Sequence, residues 1–315
     1  MSKKADMHWK SIILGGALLL FPTLKGSALA EQAVPAAAAQ TEPEIARPAL
    51  WVVRDDDTTV YLFGTIHLLK PEIRWFEGAV RRAFDESQEV VLEIAEQDKA
   101  GSQNLMMTRA LALDAPPLSQ KLSVEAQDAY SDILKRHGIS TTLFDRVKPW
   151  FAALTVTVLP LQSLGYSADS GVDRQVQAEA LRAGKTLVGL ETAQEQISFF
   201  EQLPEEVQLT LLSETLADLR EIPQTIERMV SAWSAGDADT LAKIMNQSTE
   251  SSSEIERILL TERNERWADW IQERMARPGT VFMAVGAGHL AGAKSVQAAL
   301  AKRGLSAASV SGQRD

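Results

Sequence analysis

Val60-Tyr-Leu-Phe-Gly64-Thr-Ile-His67-Leu68 and, far downstream, Phe282-Met-Ala-Val-Gly286-Ala-Gly-His289-Leu290 share one design: four apolar residues, then G-x-x-H-L. A short apolar run that stops at glycine reads as a buried strand. The glycine permits a sharp turn and close backbone approach, so a histidine three positions later can point back across the sheet edge. Two further apolar runs end in acid: Val90-Val-Leu92 before Glu93, and Leu187-Val-Gly-Leu190 before Glu191. If these four strands lie parallel, His67, His289, Glu93 and Glu191 gather outside their carboxyl ends, where open α/β sheets place ligands. Two histidines and two glutamates suit a divalent ion such as Zn²⁺ or Mn²⁺. Each group also has a structural reading. The histidines would then be hydrogen-bonded strand ends, and the glutamates would mark where each strand meets water.

Around these runs the pattern predicts a hairpin, with residues 50–54, a turn at Asp55-Asp56-Asp57, and residues 58–63. Strands are predicted at 89–94, 185–190, 280–285 and 307–311, and a short helix at 75–87. Capping-box spacings occur at Ser170-x-x-Asp173 and Thr192-x-x-Glu195. Residues 100–180 and 195–276 scan mostly as amphipathic helix, broken at prolines. The expected architecture is α/β (or α+β), with a central mixed β-sheet flanked by helices and a large helical insertion between sequence-distant strands.

The chain has 315 residues, 45% hydrophobic and 23% charged, with 42 acidic against 32 basic side chains. That is enough apolar material for a real core, and the net charge of −10 has the wrong sign for a phosphate-neutralising protein, so no nucleic-acid partner is expected. Absence of cysteine excludes disulfides, thiolate zinc sites and a cysteine nucleophile. No G-x-S-x-G elbow is present. Lys3, Lys4 and Lys10, an apolar stretch from Ile12 to Phe21, and Ala28-Leu-Ala30 together read as a signal peptide over residues 1–30. An Ala/Pro-rich flexible leader, 31–47, and a domain from 48 to 315 would follow. The mature protein is thus expected to be periplasmic or secreted, with no stable membrane anchor once the signal is cleaved. His137, in a basic helix end, reads as surface.

In residues 254–275 the apolar stripe runs through Ile255, Ile258, Leu259, Trp267, Trp270 and Ile271. Helical spacing puts Arg263 and Asn264 on or beside that buried face. A buried Arg needs a partner, which two glutamates would provide. Functionally the pair would hold a carbonyl or oxyanion; structurally, Arg263 would snorkel at the helix edge.

Leu62-Phe-Gly-Thr-Ile-His67, Gly171-Val-Asp173, Val188-Gly-Leu-Glu-Thr192 with Gln196, Glu262-Arg-Asn264 and Ala284-Val-Gly-Ala-Gly-His-Leu-Ala-Gly292, in this order, resemble the TraB/PrgY/GumN family, which includes the Tiki-type proteins. The resemblance covers residues 48–312. It implies a metal-dependent hydrolase scaffold whose active site is two G-x-x-H motifs and a glutamate, Tiki-type relatives being proteases that act on secreted proteins. By motif match His67 and His289 inherit the metal or catalytic role, with Glu93 and Glu191 as candidates for the glutamate. The expectation is a divalent ion (Mn, Co or Zn) on His67, Glu93, Glu191 and His289 that activates water against an amide carbonyl of a peptide or of a secreted or envelope protein. Glu93, where not a ligand, would be general base, and Arg263 with Asn264 would hold the oxyanion. The rival readings are a periplasmic protein that binds a peptide or envelope component without cleaving it, and a metal- or haem-binding protein.

Overall fold

The computed structural model describes residues 45–246 and 253–310. The expected signal segment and the leader up to residue 44 lie outside the described residues, as does Ser311 of the last predicted strand. Residues 45–47, read as leader from composition, pack against the domain. Ile45 bridges Arg74, the Ala46 N–H donates to the Arg74 carbonyl at 2.7 Å, and that of Arg47 to Ser234 at 2.7 Å.

Strands β1 (Leu50–Arg54) and β2 (Thr58–Thr65) form the predicted hairpin, in register from Leu50 opposite Phe63 to Arg54 opposite Thr59. Its turn is fixed by Asp55, whose carboxylate accepts the Thr58 and Asp57 N–H groups, an Asx turn. Helix α1 (Gly78–Glu86) leads to β3 (Glu89–Ile94). The helical insertion then runs through α2 (Lys99–Ala110), α3 (Val124–Arg136), α4 (Thr141–Phe144), α5 (Pro149–Ser163) and α6 (Val172–Arg182) to β4 (Thr186–Glu191). Beyond it lie α7 (Ala193–Glu201), α8 (Glu205–Ala217), α9 (Ile222–Ser234), α10 (Ala238–Asn246), α11 (Ser253–Glu256) and α12 (Glu262–Met275). Strand β5 (Gly279–Gly286), α13 (Val296–Lys302) and β6 (Ala308–Ser309) close the domain.

The sheet order is β4-β3-β5-β2-β1-β6, with β4, β3, β5 and β2 mutually parallel and β1 and β6 antiparallel at the edge. It is a mixed sheet in an α/β fold. Parallel neighbours require long crossovers, which is why the strands are distant in sequence. Alternation assigns side chains to two faces. Val60, Leu62, Val91, Val281, Met283 and Val285 face α12 and α13, packing on Trp267, Ile271, Val296 and Leu300. Phe63, Val90, Leu92, Phe282 and Ala284 face the larger helical body through Trp75, Phe84 and Trp233. Each large apolar side chain buried this way contributes roughly 1.5–3 kcal/mol. Helix α5 is buried almost all round, from Trp150 to Leu161, and forms the centre of the helical body against α8.

Several local expectations shift. Strand β4 starts at Thr186 because Lys185 still closes the preceding helix, its N–H donating to Ala180 at 2.9 Å after Gly184 turns with φ 65°. The Thr192–Glu195 capping box forms, both bonds being made. The Ser170–Asp173 box does not: α6 is capped at Gly171 with no side-chain bond. Its N-terminus is instead docked by backbone, the Val172 N–H donating to Ile66 at 2.9 Å, so Asp173 is turned to another task. Residues 254–275 form two helices separated by a π turn at Arg257–Thr261, a feature that occurs often beside functional sites.

Gly171 is required by that docking. A Cβ there would lie 2.4 Å from the His67 carbonyl oxygen, a backbone atom that cannot step aside. Gly171→Ala is therefore expected to cost about 1–3 kcal/mol in urea unfolding; an unchanged midpoint would mean the α6–His67 contact is loose.

Candidate active site

The four parallel strands deliver the sequence-predicted residues to one edge. Gly64 lets the two G-x-x-H turns stack, since a Cβ there would stand 3.0 Å from the Ala287 Cα. The motifs are offset by one residue: Thr65, not Gly64, is opposite Gly286 in the β2–β5 register. Thr65 remains in the strand, whereas after Gly286 the chain enters a 3₁₀ turn, Ala287–Leu290.

Glu93, Glu191, Arg263, Asn264 and His289 converge, all buried. Arg263 occupies the centre. Its Nε donates to Glu191 Oε1 at 2.9 Å, and Nη2 to Glu93 Oε2 at 2.6 Å and Glu191 Oε2 at 2.7 Å. Nη1 donates to the Leu259 carbonyl at 3.2 Å, inside the π turn, and to His289 Nε2 at 3.0 Å. All five guanidinium N–H groups are thereby committed. The cation also lies over Trp267, 4.8 Å from the ring centroid, and Phe199, at 5.5 Å. Burial by itself would lower the Arg263 pKa, but the charges of Glu93 and Glu191 outweigh it and hold it above its ordinary value. The snorkelling alternative is ruled out, because Arg263 is 1% exposed.

The carboxylates are engaged from other sides as well. Glu93 Oε1 accepts the Gly286 N–H at 2.7 Å, Gln196 Nε2 bridges Glu93 and Glu191 at 2.9 and 3.0 Å, and the Trp267 indole donates to Glu191 at 3.2 Å. Arg266, half exposed, lies 3.5 Å from Glu191 and adds a flanking positive charge.

His289 is held neutral. Burial first, then the charges of Arg263 and His67, push its pKa well below the usual histidine range. Because Arg263 can only donate, His289 Nε2 is the acceptor and Nδ1 carries the hydrogen, donating to Asn264 Oδ1 at 2.6 Å. Asn264 is fixed in that orientation by its Nδ2, which donates to the Lys294 carbonyl at 2.7 Å. His67, likewise 2% exposed, is paired differently: Nδ1 lies 2.9 Å from Asp173 Oδ1. Asp173 was missed as a site residue in sequence because its spacing from Ser170 imitated a cap. Gln196 and Trp267 were quoted in motif or stripe without a role in the site. His137 is the C-cap of α3, remote from this cluster in the fold, its pKa lowered by burial and Arg136.

Three of the four expected metal donors, Glu93, Glu191 and His289, are therefore together, but around a guanidinium, while His67 is paired with Asp173. His289 Nε2 and three of the four glutamate oxygens accept from Arg263, and among the described residues no group of three or more His, Asp or Glu side chains is arranged to hold one ion. This donor set fits Arg263 and does not fit a divalent ion unless Arg263 leaves.

The model of the TraB/PrgY/gumN family matches residues 49–308, and the chain belongs to that family. It is similar to "Uncharacterized protein YbaP" of Escherichia coli (strain K12), with 26% identity over 246 residues that cover 78% of this chain and 89% of the relative. It is also similar to an "Uncharacterized protein" of Treponema pallidum (strain Nichols), 21% identical over 270 residues, 81% of this chain and 80% of the relative. No solved structure matches.

Two outcomes test the electrostatics. Arg263→Met, which leaves two buried carboxylates without their cation, should lose about 3–5 kcal/mol of stability at neutral pH; a loss below about 1 kcal/mol would show the cluster to be solvated. His289 is neutral when folded yet protonates near its ordinary value of about 6.5 when unfolded. Below that pH the unfolded chain binds the extra proton, so stability is lost as pH falls toward the depressed folded value, by up to about 1.4 kcal/mol per pH unit. Urea midpoints of wild type should accordingly fall more steeply from neutral to acid pH than those of His289→Gln. Parallel curves would mean His289 already carries charge in the fold.

Proposed function

We propose that this chain is an exported hydrolase that cleaves an amide bond in a peptide or an envelope protein, with His67 as the group that takes the proton from attacking water. The observation that carries the reading is the buried His67–Asp173 pair. A carboxylate on Nδ1 fixes the hydrogen there and directs the basic lone pair to Nε2. Asp173 also stabilises the imidazolium that forms when the proton arrives. His289 is unsuited to that task, since its Nδ1 faces the neutral Asn264 in place of a carboxylate and its Nε2 accepts from the Arg263 cation, whose charge opposes protonation.

In this reading Glu93, Glu191 and Gln196 hold Arg263, and Arg263 with Asn264 holds His289, which keeps the two histidine turns in fixed relation. The oxyanion role expected for Arg263 requires it to exchange one of its bonds for the substrate oxygen. A metal-dependent form, with Mn, Co or Zn on His67, Glu93, Glu191 and His289, requires it to leave altogether. The donor set supports the metal-free form. Export rests on the sequence pattern of residues 1–30, and the acidic surface favours a protein or peptide over nucleic acid as substrate. Among the described residues no helix is long and apolar enough to cross a membrane.

The test is peptide cleavage followed by mass spectrometry, in chelator and in added Mn²⁺, Co²⁺ or Zn²⁺, for wild type, His67→Ala and Asp173→Asn. Turnover in chelator that drops roughly 10²–10⁴-fold in both variants is expected. Turnover only with added ion would transfer the activation of water to a metal. Saturable peptide binding without product would make the protein a binding module.

A further inference from the structure

The two edges of the sheet are built differently. Strand β6 has only two residues, too few to template another chain. Strand β4 closes the opposite edge with six, Thr186–Glu191, and no strand lies beyond it among the described residues. It carries none of the devices that keep such an edge unpaired: it holds no proline, no lysine and no bulge, and its one charged side chain, Glu191, is turned into the Arg263 cluster. Nor is it covered, since Thr186 and Gly189 are exposed and Leu187, Val188 and Leu190 are half-buried.

The outward backbone groups follow from one bond. The Thr186 N–H donates to the Gln88 carbonyl at 3.1 Å, toward β3. Backbone direction alternates along a strand, so Val188 and Leu190 also bond toward β3, whereas Leu187, Gly189 and Glu191 turn their N–H and C=O groups outward. This set is symmetric about Gly189. A two-fold axis there sets Gly189 against Gly189, and Leu187 against Glu191, of a second antiparallel copy, so every outward group finds a partner. Val188 then lies opposite Leu190, joining apolar side chains on the α12 face. An axis nearer the start of the strand would enlist Lys185, whose N–H is already given to Ala180.

Helix α12 has the same symmetry. Arg266 lies 3.5 Å from Glu191 at the end of β4, and Arg274 lies 3.5 Å from Glu89, which is opposite Thr186 at its start. The helix therefore runs antiparallel to β4, with Trp270 about level with Gly189. Trp270, Val188 and Leu190 border one core cluster, each half-buried. Arg266, Trp270 and Glu273, at i, i+4 and i+7, share a helical face. The axis that pairs β4 brings Arg266 level with Glu273 of the second copy, and the reverse. Arg266 is half exposed, and Glu273 is exposed with no ion-pair partner among the described residues.

We propose that the β4 edge binds a second copy of this chain, antiparallel about a two-fold axis at Gly189, giving a homodimer with one continuous sheet and reciprocal Arg266–Glu273 ion pairs. A two-fold interface needs one patch complementary to itself. The outward backbone groups, the Val188–Leu190 pair and the Arg266–Glu273 pair all meet that condition about the same axis. A substrate strand fits the edge less well: β3 and β5 separate β4 from β2, so it would lie roughly 14 Å from the strand that leads to His67. The assignment does not depend on the reaction the site performs.

Sedimentation velocity over a concentration series, with amide hydrogen exchange read by NMR, tests it on the purified chain. A species of twice the monomer mass should form, and exchange at Leu187, Gly189 and Glu191 should slow in step with its fraction. Glu273→Arg, at the end of α12 away from the Arg263 cluster, sets Arg266 against a like charge. It should raise the dimer dissociation constant about tenfold, as should Arg266→Glu, because exposed pairs turn from attraction to repulsion on both sides of the axis. An equimolar mixture of the two variants should recover wild-type association, each offering the other the opposite charge at both ends. Four results would each overturn the proposal. A monomer at every concentration would do so, with protection of these amides in it showing the edge covered by the chain itself. A dimer in which they exchange freely would put the interface elsewhere, and protection only with an added extended peptide would make the edge a peptide site. A mixture no tighter than either variant would reject the register.

Discussion

A guanidinium buried between two carboxylates is the constraint on which this structure turns. Arg263 reaches Glu93 at the end of β3, Glu191 at the end of β4 and His289 beyond β5, joining three parallel strands at their carboxyl ends. Removing three charged groups from water is expensive, and geometry repays it only when the remaining lone pairs and hydrogens are also satisfied. Here they are, by the Gly286 amide, Gln196, Trp267 and the Leu259 carbonyl. The surrounding packing gives the arrangement little freedom: Trp267 lies 4.3 Å from the His289 ring and also faces the cation.

The sheet explains how residues so distant in sequence arrive together. The crossover from β2 to β3 leaves a gap that β5 later fills, so the two G-x-x-H turns become neighbours. Small residues then set the spacing: Gly64 admits the second turn and Gly171 admits the helix that carries Asp173. The two histidines end up in contrasting settings. His289 is kept neutral with its Nε2 occupied, whereas His67 has an anion on Nδ1. Unequal environments for paired groups are how one site assigns different roles to the same side chain.

Much of this was legible in the chain. The echo of G-x-x-H after apolar runs, and the acids closing two more such runs, placed four residues at one sheet edge because strand periodicity and the crossover rule leave few alternatives. The buried face of 254–275 likewise gave Arg263 and Asn264. Three features were not legible. Asp173 carried a helix-start spacing, and only the backbone bond from Val172 to Ile66 shows why the cap gave way. The one-residue offset between the motifs depends on where a 3₁₀ turn begins, a matter of packing rather than propensity. That Arg263 sits inside the acidic pair, and not beside a site it serves, depends on the π turn that rephases the helix before it; a hydrophobic stripe carries no such phase information.

The consequence is a centre with its own fixed cation, in which the cohesion of the sheet edge and the positioning of His289 share the same bonds. Guanidinium ¹⁵N NMR of arginine-labelled protein, with Arg263→Lys for assignment, tests this most directly. The account predicts separately resolved, slowly exchanging Nε and Nη signals for Arg263 that stay unchanged when Zn²⁺ or Mn²⁺ is added. An averaged, rapidly exchanging signal, or one displaced stoichiometrically by the ion, would contradict it.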